Sequence, residues 1–415
     1  MNKVAIITLG CKQNKYESDC MANLLQRNGY EVVEELEVAD IYIINTCAVT
    51  SEAEKKSRQF VAKCLKLNSE AKIVICGCAS EKNADQFKTK NNVFSIIGTE
   101  GKEKILEYIN NSIKQKNELK TVYESPCNPQ KSSTREHIKI QDGCNNFCSY
   151  CIIPYLRGRS RSRNLESIVE EAKVIAGRSK EIVLTGIDIS SYKVDGKLAL
   201  PLLLSKLKDV NALIRLGSLE VNVITEELMS VLVSMPNFAP HFHLSLQSGD
   251  DEILKKMNRH YTSQEFYEKV QLIRKYFPLA NITTDVIVGF AKETEEQFEN
   301  TKQFIEKVEF SFVHIFPYSR REGTRAYNFE DLDMSIKKRR VDQLEEVNSR
   351  LRVNYLSKFI GKASSVIIEE QKELFEGFSP EYIRCYTSDD VICGNQYNIR
   401  FDSLYKEGMK VEIIK

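Results

Sequence analysis

Three cysteines crowd one short loop, Cys144-Asn-Asn-Phe-Cys148-Ser-Tyr-Cys151. They follow a strand-like run, HIKIQDG (137–143), and so occupy the turn at its carboxyl end. Three thiolates at CxxxCxxC spacing can ligate three irons of a [4Fe–4S] cluster and leave the fourth iron open. Structural zinc is the weaker reading, because zinc sites usually draw on two separated ligand pairs. Such a loop needs a scaffold that pins both its ends. The chain supplies five more strand-like runs at intervals: EIVLTGIDIS (181–190), IRLGSLE (214–220), HFHLSLQSG (241–249), NITTDVIVGF (281–290) and FSFVHIFPYS (310–319). Amphipathic stretches such as 165–178 and 263–277 separate them. Six βα units predict a partial (βα)6 barrel, whose sites lie at the carboxyl ends of the strands. Thr185, Asp188, Ser218, Glu220, Gln247, Ser248 and Asp285 gather at those ends. Any one of them alone is better explained as a helix cap. Six strands ending this way around one cysteine loop are a stronger signal. His241 and His243 alternate along a strand and read as packing or polar-face residues.

Upstream, three runs rich in Val and Ile read as buried parallel strands: VAIITLGC (4–11), DIYIINTC (40–47) and AKIVICGC (71–78). Each precedes a polar, helix-compatible stretch, which predicts a doubly wound α/β layer. Gly29 and Asn68 stand where the first two helices should stop. Cys11, Cys47 and Cys78 each end a strand, 36 and 31 residues apart. In an open parallel sheet the carboxyl ends share one edge, so the three thiols can meet there. A [4Fe–4S] cluster with an open iron and a three-cysteine zinc site both fit that spacing. Cys20, Cys64 and Cys76 read as core, Cys385 and Cys393 as structural, and Cys127 as part of a Pro/Ser/Lys-rich linker. The expected domains are 1–112, a linker over 113–130, a barrel over 131–360 and a small β-barrel over 361–415.

Composition narrows the function classes. With 59 Lys and Arg against 58 Asp and Glu, the chain has no global field to attract nucleic acid, so any such contact is local. No run of ~20 apolar residues is present to cross a bilayer, and the N-terminus reads as strand rather than signal peptide. Twelve cysteines in a long chain without an export signal suit metal or redox chemistry in a reducing compartment. Residues 131–163 are locally basic, with seven Lys or Arg against two Asp or Glu. The run Arg157-Gly-Arg159-Ser-Arg161-Ser-Arg163 reads as a set of phosphate ligands, and Lys337-Lys338-Arg339-Arg340 as a weaker one. Residues 361–415 carry seven Lys or Arg against ten Asp or Glu. RNA contact there would be a local patch or stacking on Tyr386 or Tyr397.

The cysteine loop at the start of a partial barrel resembles the radical S-adenosylmethionine enzymes. With Cys11, Cys47 and Cys78 upstream, the whole chain resembles their methylthiotransferase subfamily, in particular the tRNA methylthiotransferases of the MtaB type. The likeness is carried by LGCKQNKYESD (9–19), INTCAVTSEAEKKSRQ (44–59), KIQDGCNNFCSYCIIPYLRGRSRSR (139–163), EIVLTGIDISSY (181–192), FHLSLQSGDDEILKKMNRHYT (242–262), TTDVIVGF (283–290) and IFPYSRREGTRA (315–326). Isopentenyladenosine-specific relatives carry Ile-Arg-Glu where this chain has Ala48-Val49-Thr50, and Gly-Gln-Asn where it has Gly186-Ile187-Asp188. Ribosomal-protein methylthiotransferases carry Pro-Lys-Asn in place of Lys12-Gln13-Asn14. Two departures stand out. Phe290-Ala291-Lys292-Glu293-Thr294 replaces the usual Phe-Pro-Gly-Glu-Thr, and Gly217-Ser218 replaces Ser-Ser. Asp188 occupies a variable position.

The resemblance implies two [4Fe–4S] clusters, one on Cys144, Cys148 and Cys151 and one on Cys11, Cys47 and Cys78. The first would bind and reductively cleave S-adenosylmethionine in a pocket lined by Gly186, Ser218, Glu220 and Gln247. The resulting radical would abstract hydrogen from C2 of N6-threonylcarbamoyladenosine at position 37 of tRNA. The second cluster would present sulfur, and a second S-adenosylmethionine would supply the methyl group. No side chain stands out as a general base. The implied partners are the tRNA anticodon stem-loop, a flavodoxin- or ferredoxin-like electron donor and a sulfur donor, in the cytoplasm, with a TRAM-like C-terminal barrel. Competing readings are methylthiolation of isopentenyladenosine or of a ribosomal-protein aspartate, a plain methyltransferase, and a non-catalytic metal-containing RNA-binding protein.

Overall fold

Alternation within the first strands sorts their side chains onto two faces. Val4, Ile6, Ile41, Ile43, Val74 and Cys76 join one apolar core with Met21, Leu25, Ile105 and Tyr108. Ala5, Ile7, Tyr42, Ile44, Ile73 and Ile75 join a second with Val61 and Cys64. A sheet buried on both faces is the parallel, helix-covered kind. In the computed structural model of the chain, it has five parallel strands: β1 (Lys3–Thr8), β2 (Glu31–Val33), β3 (Ile41–Thr46), β4 (Lys72–Gly77) and β5 (Val93–Ile96). Their order is β2-β1-β3-β4-β5. The order reverses between β1 and β3, where ligands bind in doubly wound sheets. Helices Lys12–Arg27 and Ser51–Leu67 end beside Gly29 and at Asn68, as expected.

The structure describes residues 2–88, 92–111 and 134–414. The expected linker over 113–130, with Cys127, lies outside them. The chain divides into two compact units that cut across the expected continuous ranges. The first joins Met1–Ser132 to Lys139–Arg163 and Arg321–Thr324, so both cysteine triads fall in one unit. The second holds the remainder. In the first unit a short antiparallel pair, β7 (Gln141–Asp142) with β8 (Arg161–Ser162), frames the cysteine loop; it follows β6 (Arg135–Lys139).

The second unit contains the partial barrel. Its strands are β6, β9 (Glu181–Thr185), β12 (Leu213–Leu216), β13 (His241–Gln247), β14 (Asn281–Val288) and β15 (Phe312–Pro317), with a hairpin of β10 (Lys193–Val194) and β11 (Lys197–Leu198) between β9 and β12. They form two three-stranded sheets, β12-β9-β6 and β13-β14-β15, joined by parallel bridges at Ile214–Phe238 and Leu219–Leu244. The expected six strands are all present.

After the helix Met334–Ser357 comes a closed five-stranded barrel of β16 (Ala363–Gln371), β17 (Phe375–Phe378), β18 (Arg384–Thr387), β19 (Gln396–Tyr405) and β20 (Gly408–Ile413). Its 379–382 turn plugs the amino end of the partial barrel. Arg215 donates to the carbonyls of Pro380 (2.9 Å) and Ser379 (3.3 Å), and its guanidinium lies 4.7 Å from the Tyr382 ring. His241 stacks on Tyr382 at 4.8 Å, and Asn281 donates to the Glu381 carbonyl at 2.7 Å. His241 is thus a packing residue. Among the described residues, no helix is long and apolar enough to cross a membrane.

Candidate active site

The cysteine loop is held by its backbone. Gly143 has φ +71°, and a Cβ there would lie 2.1 Å from the Arg159 carbonyl oxygen. Only glycine tolerates both conditions. The Cys144 amide donates to the Gly158 carbonyl (3.1 Å), and Cys151 to Cys148 (3.0 Å). The Asn146 amide donates to the Cys144 sulfur (3.4 Å). Phe147 takes φ +48°, an uncommon conformation for a non-glycine residue. Its ring packs edge-on against Tyr155 (5.5 Å) and under the Arg159 guanidinium (4.4 Å).

The second triad is assembled from neighbouring strand ends. Cys11 follows β1, Cys47 follows β3 and Cys78 follows β4, three adjacent strands. A Cβ on Gly10 would sit 2.6 Å from the Cys47 sulfur, so the first turn closes directly over that thiol. Thr46 Oγ1 accepts from the amides of Ala79 (3.2 Å) and Ser80 (3.3 Å), which ties the turn before Cys47 to the helix that Cys78 begins. The Val49 amide donates to the Cys47 sulfur at 3.4 Å. Burial, reinforced by the nearby Cys78 and Cys11, lifts the Cys47 thiol to about 11. Burial also raises Cys78, against the Arg157 guanidinium beside it.

Beneath this triad runs a buried ionic network. Arg157 bonds Glu17 (2.9 Å), Asp142 (3.2 Å) and the Asn14 side-chain carbonyl (2.8 Å). Lys139 bonds Glu17 (2.9 Å) and Asp142 (2.6 Å), Lys102 pairs with Glu17, and Arg161 with Glu100. Burial pushes Asp142 upward, but Lys139, Arg157 and Arg161 bring it down to about 2. Glu17 is likewise held well below its usual range, with Arg157, Lys102 and Lys139 outweighing its burial. Four cations thus face three carboxylates. An uncompensated buried charge is costly, and a [4Fe–4S]2+ core on three thiolates is a net monoanion. The donor set and this excess charge fit a cluster on Cys11, Cys47 and Cys78.

That network corrects the phosphate-ligand reading. Arg157, Arg161 and Arg163 are buried; Arg157 and Arg161 pair with carboxylates, and Arg163 bonds the Tyr16 hydroxyl at 3.1 Å. Of the four arginines only Arg159 is exposed. Of residues 337–340, buried Lys337 bonds Asp331 (2.6 Å) and buried Arg340 bonds Glu293 (2.6 Å), whereas Lys338 and Arg339 are exposed. Tyr386 is buried and cannot offer a face to a base, whereas Tyr397 is half-exposed. Cys20, Cys64, Cys76 and Cys385 are buried, but Cys393 is exposed and is not core.

Sequence reasoning missed Glu17, Lys102 and Arg321. Arg321 donates to the carbonyls of Ala48 (2.7 Å) and Val49 (3.1 Å), beside Cys47. Burial lowers its pKa, while Glu54, Cys47 and Cys151 raise it, so its guanidinium lies within reach of both triads. No spacing marks any of the three, because each is a charge among other polar residues.

In the second unit, Gly186, Ser218, Glu220 and Gln247 lie at or just beyond the carboxyl ends of β9, β12 and β13. Glu220 accepts from Arg259 at 2.5 Å, and Arg259 also bonds the Ser245 carbonyl (2.9 Å) and the Tyr261 hydroxyl (3.0 Å). The Glu220 amide donates to Ser190 Oγ at 2.8 Å. Burial, then the nearby Glu220 charge, raises Asp188 to about 6. Gln247 has φ +70°. At Gly217 a Cβ would lie 2.9 Å from the Leu184 carbonyl oxygen, so the departure from Ser-Ser permits a closer strand approach.

These features define a radical S-adenosylmethionine enzyme, and the Radical SAM superfamily profile matches residues 138–305. A second profile, Uncharacterized protein family UPF0004, matches residues 3–99. The threonylcarbamoyladenosine tRNA methylthiotransferase MtaB of Aquifex aeolicus is 37% identical, covering 91% of this chain and 95% of the relative. The Bacillus subtilis protein of the same name is 35% identical over 100% and 98%. A tRNA-2-methylthio-N(6)-dimethylallyladenosine synthase of Thermoanaerobacter is 32% identical over 99% and 92%. The chain belongs to the methylthiotransferase family that contains these enzymes. Among solved structures, the radical S-adenosylmethionine methyltransferase TsrM of Kitasatospora setae superposes with a TM-score of 0.57 at 13% identity, covering 79% of this chain and 77% of TsrM, a likeness of fold.

Proposed function

We propose that this chain is a sulfur-transferring enzyme that methylthiolates C2 of N6-threonylcarbamoyladenosine at position 37 of tRNA. The observation that carries the reading is two cysteine triads at strand ends, in a chain that aligns almost end to end with relatives named for that activity. A [4Fe–4S] cluster on Cys144, Cys148 and Cys151 supplies, when bound, the reductive cleavage of S-adenosylmethionine that an inert C2–H bond requires. Cys11, Cys47 and Cys78 would hold a second cluster, which would supply the sulfur chemistry.

The chain's own residues bind and orient. Gly186, Ser218, Glu220 and Gln247 line the S-adenosylmethionine pocket. Arg259 fixes the Glu220 carboxylate as an acceptor for that ligand's donors. Arg157, Lys102 and Lys139, gathered on Glu17, supply positive charge beside the second triad. Exposed Arg159 meets anticodon stem-loop phosphates. A flavodoxin- or ferredoxin-like protein and a sulfur donor complete the reaction in the cytoplasm.

The test is mass spectrometry of tRNA nucleosides from cells that lack native methylthiotransferases and contain both precursor nucleosides. The expected product is 2-methylthio-N6-threonylcarbamoyladenosine, formed only when this protein is expressed. Product on the dimethylallyl derivative alone keeps the class and overturns the substrate. No product from cluster-loaded protein overturns the tRNA assignment.

A further inference from the structure

On β13, β14 and β15 the side chains of one face are packed beneath helices: Phe242, Leu244, Ile282, Val286 and Val313 are all buried. The opposite face reaches solvent and carries a polar cluster. His243, Asp285 and His314 present imidazole nitrogens and a carboxylate oxygen within 4.8 Å of one another. His243 Nδ1 meets Thr283 Oγ1 at 2.8 Å, and its Nε2 meets Asp285 Oδ2 at 3.2 Å. Asp285 lies opposite His314 in the strand register. The His314 ring is fixed edge-on between His243 (5.5 Å) and Phe312 (4.8 Å). Gln247, assigned above to S-adenosylmethionine, ends the same strand as His243.

Neither cluster motif nor the nucleotide pocket uses these residues. They form a set of donors and acceptors on the solvent-reaching face of these three strands, suited to a polar ligand. The two adenosine substituents named by the relatives differ in this property. A threonylcarbamoyl group carries a carboxylate, a hydroxyl and ureido N–H groups, whereas a dimethylallyl group carries only carbon and hydrogen.

We infer that His243, Asp285 and His314 form the subsite that reads the polar substituent on the adenine N6. Asp285 accepts from the hydroxyl or a ureido N–H, and a His314 ring N–H donates to the carboxylate. His243, held by Thr283, positions Asp285. A dimethylallyl group placed here would desolvate these groups and return no hydrogen bond. Sites built around hydrogen bonds reject an apolar analogue strongly for that reason. The inference rests on the threonylcarbamoyladenosine reading and deepens it.

Fluorescence anisotropy tests it, with cluster-loaded protein and synthetic anticodon stem-loops bearing threonylcarbamoyladenosine, dimethylallyladenosine or plain adenosine. Wild type is expected to bind the threonylcarbamoyl stem-loop about tenfold tighter than the plain one. Asp285→Ala and His314→Ala should erase most of that preference while leaving plain stem-loop binding unchanged, an internal control for folding. His314→Gln, which keeps a donor, should retain part of it, and His314→Leu should favour the dimethylallyl stem-loop. An unchanged preference in both alanine variants overturns the subsite but leaves the substrate reading intact. A wild-type preference for dimethylallyladenosine overturns the reading and the subsite together. A divalent ion beyond the cluster iron, lost in His314→Ala with the stem-loop preference intact, assigns the three residues to a metal instead.

Discussion

The two cysteine triads present the same three ligands in opposite ways. Cys144, Cys148 and Cys151 come from one loop of consecutive residues, half-open to solvent and shaped by backbone contacts. Cys11, Cys47 and Cys78 come from three strands, and two of the three are buried over an ionic network. A local loop can close on its metal with little help from the rest of the fold. The dispersed triad exists only when the sheet is in register, and its surroundings are already charged for an anion. The difference teaches that one site is specified by spacing and the other by topology.

The sharpest way to break this comparison is to delete one ligand from each triad. Two [4Fe–4S] clusters give about eight irons per chain. Cys47→Ala should lower iron to about four per chain, abolish methylthiolation and leave reductive cleavage of S-adenosylmethionine in place. Cys148→Ala should abolish cleavage as well as product. Iron analysis with 5′-deoxyadenosine and nucleoside assays reads both. Methylthiolation that survives Cys47→Ala would show that the second triad is not the sulfur site.

A second contrast lies within the arginine run. Arg157→Gln removes one cation from the buried network and leaves Glu17 and Asp142 to Lys102, Lys139 and Arg161, a loss smaller than the about 3–5 kcal/mol of a buried charge left with no partner. The chain should lose part of its stability in urea and hold less iron on the dispersed triad. Arg159→Ala touches only an exposed cation over the Phe147 ring. It should leave the urea midpoint unchanged and weaken tRNA binding several-fold, with a smaller salt dependence. Equal effects from the two substitutions would refute their separation into a buried and a surface role.

These arginines also show where sequence legibility ends. The six barrel strands, the helix-covered N-terminal strands and the C-terminal barrel were readable, because hydrophobic period and turn residues record them along the chain. The convergence of Cys11, Cys47 and Cys78 was readable through the rule that parallel strand ends share an edge. Edge strands β2 and β5 were too short to announce themselves. Alternating arginines look alike whether they face solvent or a carboxylate. Only the fold shows that Glu17, 140 residues from Arg157 in the chain, neutralises it. The polar cluster of His243, Asp285 and His314 is hidden for the same reason, since its members come from three strands.

In the second unit, Asp188 offers a smaller effect with a defined sign. Its pKa of about 6 lies above the usual carboxylate value of 3.8. The folded state therefore holds a proton that the unfolded state releases, and stability falls as pH rises from about 4 to about 6. A shift of about two units corresponds to about 3 kcal/mol over that window. Asp188→Asn should remove this component, so that variant and wild type diverge progressively above pH 4 in urea titrations, with the variant more stable at pH 7. Parallel curves across the window would show that the carboxylate is ionised in both states.

The smallest effect concerns the turn after β14, where the chain departs from the family pattern by carrying Ala291-Lys292. Lys292 has φ +58°, the left-handed conformation that glycine adopts freely and a lysine adopts at a cost of about 1 kcal/mol. The turn keeps its shape because Glu293 is anchored by the Gly289 amide (2.7 Å) and by Arg340 (2.6 Å). The departure therefore places a strained residue in a turn that Glu293 holds in place. Lys292→Gly should raise the urea midpoint by an amount near that 1 kcal/mol, less a few tenths for the greater freedom of glycine in the unfolded chain, and leave methylthiolation unchanged. A change in activity without a gain in stability would mean that the Lys292 side chain, exposed and 3.2 Å from Glu330, acts in the reaction instead of merely tolerating the turn.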